Sequence, residues 1–273
     1  MIDRRLQRVA EALLPHRSFE KARWHAPATL SVVCDDGYLQ DRTVIASLLE
    51  SYGAKGTFAI CSDLIGQPGY LGESDLADLI RRGHDIASHM QRHVHITTLN
   101  SATCLGEMQD SKDWLLARGA HTQTLVYPFG RNSRSTRAQA AQHFSCAMSA
   151  WPGINVGAVN AFALRRFAFG SHENPLLPIS SDPARWLDQT CANQGWLVVM
   201  LHSGDPQRVA DHDQRVDRLL REAQSRGMHI KTVAAACAAG LIKTGSPGDV
   251  AVLRAAREQG RGAASASHLD GLS

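Results

Sequence analysis

The chain has 273 residues, 44% of them hydrophobic and 20% charged, an ordinary globular composition. Lys and Arg number 29 against 26 Asp and Glu, a net charge of +3. That balance carries no electrostatic footprint for nucleic acid or an anionic membrane surface, and no apolar stretch reaches the ~18 residues of a membrane span.

The first segment, 1–27, is expected to be a helical extension, with Leu6, Val9, Ala10, Leu13 and Leu14 at helical spacing. Charges interrupt it, so it lacks the continuous apolar core of a signal peptide, and the expected location is cytoplasmic. The apolar run 30–34 reads as a buried strand, followed by a helix over 42–52 and a second strand at 56–60. A helix over 73–82, with Ser74 as its N-cap, leads to a third strand at 84–88. Helix 101–118, strand 123–127, helix 135–143 and strands 146–150 and 166–169 follow. Helix 183–193, the strand 196–201 (WLVVML), helix 211–226 and a last strand at 229–233 complete the pattern.

Strand and helix alternate about seven times, which argues for parallel β with helical crossovers. Few strands alternate apolar and polar, so the sheet is covered on both faces. A barrel over 28–243 fits better than an open sheet, because polar candidates follow several different strands. The segment 244–273, rich in Gly, Ala and Ser, is expected to be one more helix (251–259) and a flexible tail. No GxGxxG or Walker A pattern supports a nucleotide site. The six cysteines form no CxxC and read as buried thiols of a reducing compartment.

Chemistry gathers at the strand ends. Asp35 and Asp36 follow the first strand, and buried adjacent carboxylates need a cation or donors to offset their desolvation. His89 and His93 follow the third strand; at i, i+4 on a helical turn their Cβ atoms would lie roughly 5–6 Å apart. Two imidazoles so spaced can hold one Zn²⁺, and Asp36 supplies a third ligand, leaving one coordination position open for water or substrate. On the same helical turn His95 would point elsewhere. Asp35 is then free to act as a base. His202, after 196–201, is a candidate general acid, since imidazole titrates near neutrality.

These residues, in this order, resemble the polysaccharide deacetylase family (the NodB homology domain, carbohydrate esterase family 4). Cys34-Asp-Asp-Gly-Tyr38 is similar to its first motif, His89-Met-Gln-Arg-His93 to the second, Tyr127-Pro-Phe-Gly130 to the third in its YPFG variant, and Leu201-His202 to the last. The resemblance covers roughly 28–240. It implies a distorted (β/α)₇ barrel, a divalent metal (most often Zn²⁺, with Co²⁺, Ni²⁺ or Mn²⁺ as substitutes), and removal of an N-acetyl, less often O-acetyl, group from a sugar or oligosaccharide. It implies Asp36, His89 and His93 as metal ligands, Asp35 as base and His202 as acid. Tyr127, Pro128, Phe129 and Gly130 would line the substrate, with the Phe129 N–H at the oxyanion. Many members carry an Arg where Val126 stands, and Arg166, with Arg165 close behind, is the expected replacement. The family's acid-orienting Asp motif is not recognisable; Asp205, Asp188 and Asp182 are the candidates. Two other readings stay open: hydrolysis of a non-sugar C–N bond, as in cyclic imides, and a glycan-binding barrel without turnover.

Overall fold

The structure is a computed structural model that describes residues 20–176 and 178–243. The C-terminal helix and tail expected beyond 243, and all but the end of the N-terminal extension, lie outside the described residues. That end is not helical: Lys21–Trp24 is a strand, β1, because alternate residues Ala22 and Trp24 are buried while Lys21 and Arg23 are exposed.

The barrel is built from Thr29–Cys34 (β2), Thr57–Ile60 (β3), Asp85–Ser88 (β4), Thr124–Val126 (β5), Cys146–Met148 (β6), Phe167–Ala168 (β8) and Trp196–Leu201 (β9). They lie in the order β6-β5-β4-β3-β2-β9-β8, and every pairing is parallel. Leu164, just ahead of β8, bridges Met148 of β6 in parallel and draws the two edges together. The result is a distorted seven-stranded (β/α)₇ barrel, the fold that the family resemblance implies. The short His229–Ile230 (β10) pairs with the start of β2.

The strands are buried on both faces. Leu30, Val32, Cys34, Phe58, Ile60, Leu197, Val199 and Leu201 pack against the helices Ala46–Ser51 (α1), Glu73–Arg81 (α2), Pro183–Ala192 (α5) and His212–Ser225 (α6). The alternate set, Val33, Ala59, Ala87, Val126, Met148 and Val198, packs inside the ring with Trp196 and with Val233 and Ala236 of Val233–Gly240 (α7). Ser101–Leu116 (α3) and Arg134–His143 (α4) cover β4 to β6.

Three short strands form a separate antiparallel sheet, in which β1 lies between Ala158–Asn160 (β7) and Leu241–Lys243 (β11). The N-cap of α2 is Gly72, whose N–H donates to the Asp75 carboxylate at 2.9 Å, and not Ser74. All six cysteines are free, four of them buried. Burial, reinforced by the nearby Asp41 and Asp35, pushes the Cys34 thiol up, so it is a protonated core residue rather than a nucleophile.

Candidate active site

Because every barrel strand runs the same way, the residues after β2, β4, β5, β8 and β9 meet at one end. Asp35 extends β2, its N–H bonded to Leu201 O at 2.9 Å. Asp36 then turns sharply, with φ at 77°, a left-handed conformation that costs a non-glycine residue about 1–2 kcal/mol.

That turn separates the two carboxylates. Asp35 faces Arg166: Nη1 donates to Oδ1 at 2.8 Å and Nη2 to Oδ2 at 3.1 Å, while Nε donates to Ser149 O at 2.9 Å. Both side chains are buried. Such a bidentate, desolvated pair is geometrically specific. Arg165 turns away and bonds Pro152 O at 3.2 Å.

Asp36 faces the histidines. Its Oδ1 lies 3.3 Å from Nε2 of His89 and 3.3 Å from Nε2 of His93. Burial alone would push the Asp36 carboxyl up. The close approach of the His89, His93 and His202 imidazoles outweighs it and holds the group below the ordinary carboxylate range. His89 Nδ1 donates to Val126 O at 2.7 Å, which fixes the ring with Nε2 toward Asp36. One ligand atom from each of Asp36, His89 and His93 falls within 4.8 Å of the others. Asp36 Oδ1 is buried and has no hydrogen-bond partner, the state a missing cation would relieve. The donor set fits a divalent ion.

The two histidines do not meet on a helical turn. Residues 89–95 form a loop, with Met90 buried at φ 69°. Nor does His95 point away: its ring lies 4.0 Å from that of Phe129, which also lies 4.4 Å from His93. The i, i+4 spacing is right, but the geometry behind it is a loop returning on itself.

Pro128–Gly130 is a single 3₁₀ turn with Phe129 at φ 57°. Gly130 has φ +64°, and a Cβ there would sit 2.2 Å from the Ala150 backbone N. Phe129 is half exposed. Tyr127 is buried, and its hydroxyl donates to Phe162 O at 3.2 Å, so it supports the loop from beneath.

His202 follows β9. Burial pushes its imidazole down; Asp35 and Asp36 oppose this, while His172 and Arg166 add to it. Its Nδ1 lies 3.4 Å from Ser171 Oγ, not on a carboxylate. Asp205 holds His172 instead, at 2.6 Å. Asp188 pairs with Arg226 on the surface, and Asp182 precedes α5. Behind His202, Ser203 Oγ donates at 2.5 Å to Asp41, a fully buried carboxyl that burial pushes well up. Ser171, His172 and Asp41 were not singled out from the sequence, although His172 obeys the rule that found the others: it follows a barrel strand.

The sequence model of the polysaccharide deacetylase family matches residues 25–144. Among solved structures, the barrel resembles the Xyl-CE4 domain of a multidomain xylanase from the hindgut metagenome of Trinervitermes trinervoides, with a TM-score of 0.57 and 15% identity over 78% of this chain and 90% of that one. It also resembles a family 4 carbohydrate esterase from Streptomyces lividans in complex with acetate, with a TM-score of 0.53 and 14% identity over 80% and 98%. At these identities the likeness is one of fold. A curated relative, gellan lyase of a Bacillus species, is 25% identical over 69% of this chain, which spans only 8% of that protein.

Proposed function

Because the chain belongs to the polysaccharide deacetylase family through residues 25–144, we propose that it is a metal-dependent hydrolase that removes an N-acetyl group from a sugar or oligosaccharide. The observation that carries this reading is the division of Asp35-Asp36 between two sets of partners, the Arg166 guanidinium on one side and a cluster of three potential ligand atoms on the other. Asp36, His89 and His93 would hold the ion, Zn²⁺ or a similar divalent cation. When bound, it polarises the acyl oxygen and lowers the pKa of water, which is the chemistry amide hydrolysis lacks at neutral pH.

The chain's own groups do the rest. Arg166 fixes Asp35 with both oxygens engaged, so the carboxylate is oriented to take the proton of the attacking water. The Phe129 N–H donates to the oxygen that becomes negative in the tetrahedral state, an interaction worth about 3–4 kcal/mol where such donors are preorganised. His202 delivers a proton to the departing nitrogen. Burial favours its neutral form, so the proton it passes on is one the ring takes up during turnover, balanced by the proton that Asp35 removes from the attacking water. Exposed Phe129 and Trp151, both on loops at the site end, offer apolar faces suited to the C–H face of a sugar ring.

Metal analysis together with an acetate-release screen on N-acetylated oligosaccharides tests this. The wild type should bind about one divalent ion per chain and release acetate. Asp36→Ala should lose the ion and the thermal stabilisation that added metal gives the wild type. His202→Ala should keep the ion and lose at least about 100-fold in kcat. A fully active His202→Ala removes the acid assignment. Metal binding without acetate release, but with hydrolysis of a cyclic imide, replaces the deacetylase reading.

A further inference from the structure

We propose that His172, held by Asp205, contacts the sugar on the leaving-group side of the scissile bond and sets where that sugar sits. The inference rests on the deacetylase reading of the site.

His172 stands next to His202, their rings edge-to-face with centroids 5.2 Å apart. A group beside the acid lies beside the nitrogen that leaves, and that nitrogen stays on the sugar. The imidazole is close to half exposed, at 47% of its side-chain surface, so it is reachable from solvent. Its Nε2 is engaged by Asp205 Oδ2 at 2.6 Å. With Nε2–H donating there, Nδ1 is the acceptor and matches a ring hydroxyl.

The ring is also held in place. Asp205 is nearly buried and accepts a second bond, from the Gln207 N–H at 2.6 Å. His172 has φ 51°, two residues after Gly170 at φ +78°. Glu173 Oε1 staples the turn by accepting from the N–H of Gly170 at 3.0 Å and of Ser180 at 2.9 Å. The Val209 N–H closes it onto Gly170 O at 2.8 Å. A histidine on an ordinary surface loop has no need of a strained backbone, a buried carboxylate and a stapled turn. A histidine that must present one nitrogen to a substrate does. Asp205 thus acts on His172 and leaves His202 to Ser171.

The test uses the metal-loaded protein and the pentasaccharide of β-1,4-linked N-acetylglucosamine, with affinity measured by calorimetry and turnover by acetate release. His172→Ala should weaken affinity and raise KM about tenfold, the worth of one hydrogen bond of about 1.4 kcal/mol, with a smaller change in kcat. His172→Gln, which keeps an acceptor, should recover part of the loss, and Asp205→Asn should show a weaker form of it. Wild-type affinity and KM in His172→Ala overturn the inference while the deacetylase reading stands. So does a loss in kcat alone. If the wild type binds the pentasaccharide yet releases no acetate, the deacetylase reading falls and His172 is still judged on affinity. If it neither binds nor cleaves, both fall.

Discussion

The Asp35–Arg166 pair is where a single side chain decides the most. Each partner is buried, so neither charge is tolerable alone. Arg166→Met should cost about 3–5 kcal/mol in urea or thermal unfolding, because it strands a buried carboxylate, and it should abolish turnover. The double change Arg166→Met with Asp35→Leu should regain most of the stability but none of the activity. A single-variant loss below about 1 kcal/mol would show that Asp35 is tolerated in place without its partner. The sequence could point to Arg166 only through the family's pattern, since Arg165 and Arg166 are equivalent in composition. The distinction comes from the pleat: adjacent residues entering a strand face opposite ways, so one reaches Asp35 and the other Pro152.

Among the elements, the loops that carry the site are tighter than the strands that carry the loops. Asp36, Met90, Phe129 and His172 all take positive φ without being glycine, and all follow barrel strands. Gly130 shows the limit of that crowding. Gly130→Ala adds a left-handed penalty of about 1–2 kcal/mol to a backbone clash with Ala150, and a far larger fractional loss of activity should accompany the fall in Tm. Unchanged activity would separate the Phe129 turn from the chemistry. The parallel strands were legible from continuous apolar runs, and the ligand residues from their places at strand ends. The path of 89–95 was not, because i, i+4 spacing fits a helix and a returning loop alike. β1, β7 and β11 were missed because each is only three or four residues long, too short for an alternation to stand out. α7 was missed because VAAACAAG is apolar throughout and shows no helical period.

For the molecule as a whole, acid should act first through a residue remote from the site. His84 is buried, with Nδ1 accepting from the Gly56 N–H at 3.1 Å. Burial, helped by Lys55, lowers its pKa to about 4 from the ordinary 6.5. The unfolded chain therefore binds a proton between those values that the folded chain refuses. The stability contribution is complete above pH 6.5 and is lost as pH falls toward 4, at about 1.4 kcal/mol per pH unit. Denaturation midpoints measured from pH 7 to 4.5 should fall for the wild type and less steeply for His84→Gln; parallel slopes would remove His84 as the cause.

The small antiparallel sheet bears on force. Ala22 pairs with Lys243 and Trp24 with Leu241, so the described chain enters and leaves the domain at the same end of one two-stranded ladder. Tension applied at Lys21 and Lys243 pulls that ladder open from its end, one backbone pairing after another, rather than shearing all of them at once. The barrel carries no load until the ladder has parted. A domain whose two connections lie side by side also adds almost nothing to the span of a host chain into which it is inserted. It is mechanically a side loop: weak as a link under tension, and nearly invisible to the geometry of whatever flanks it.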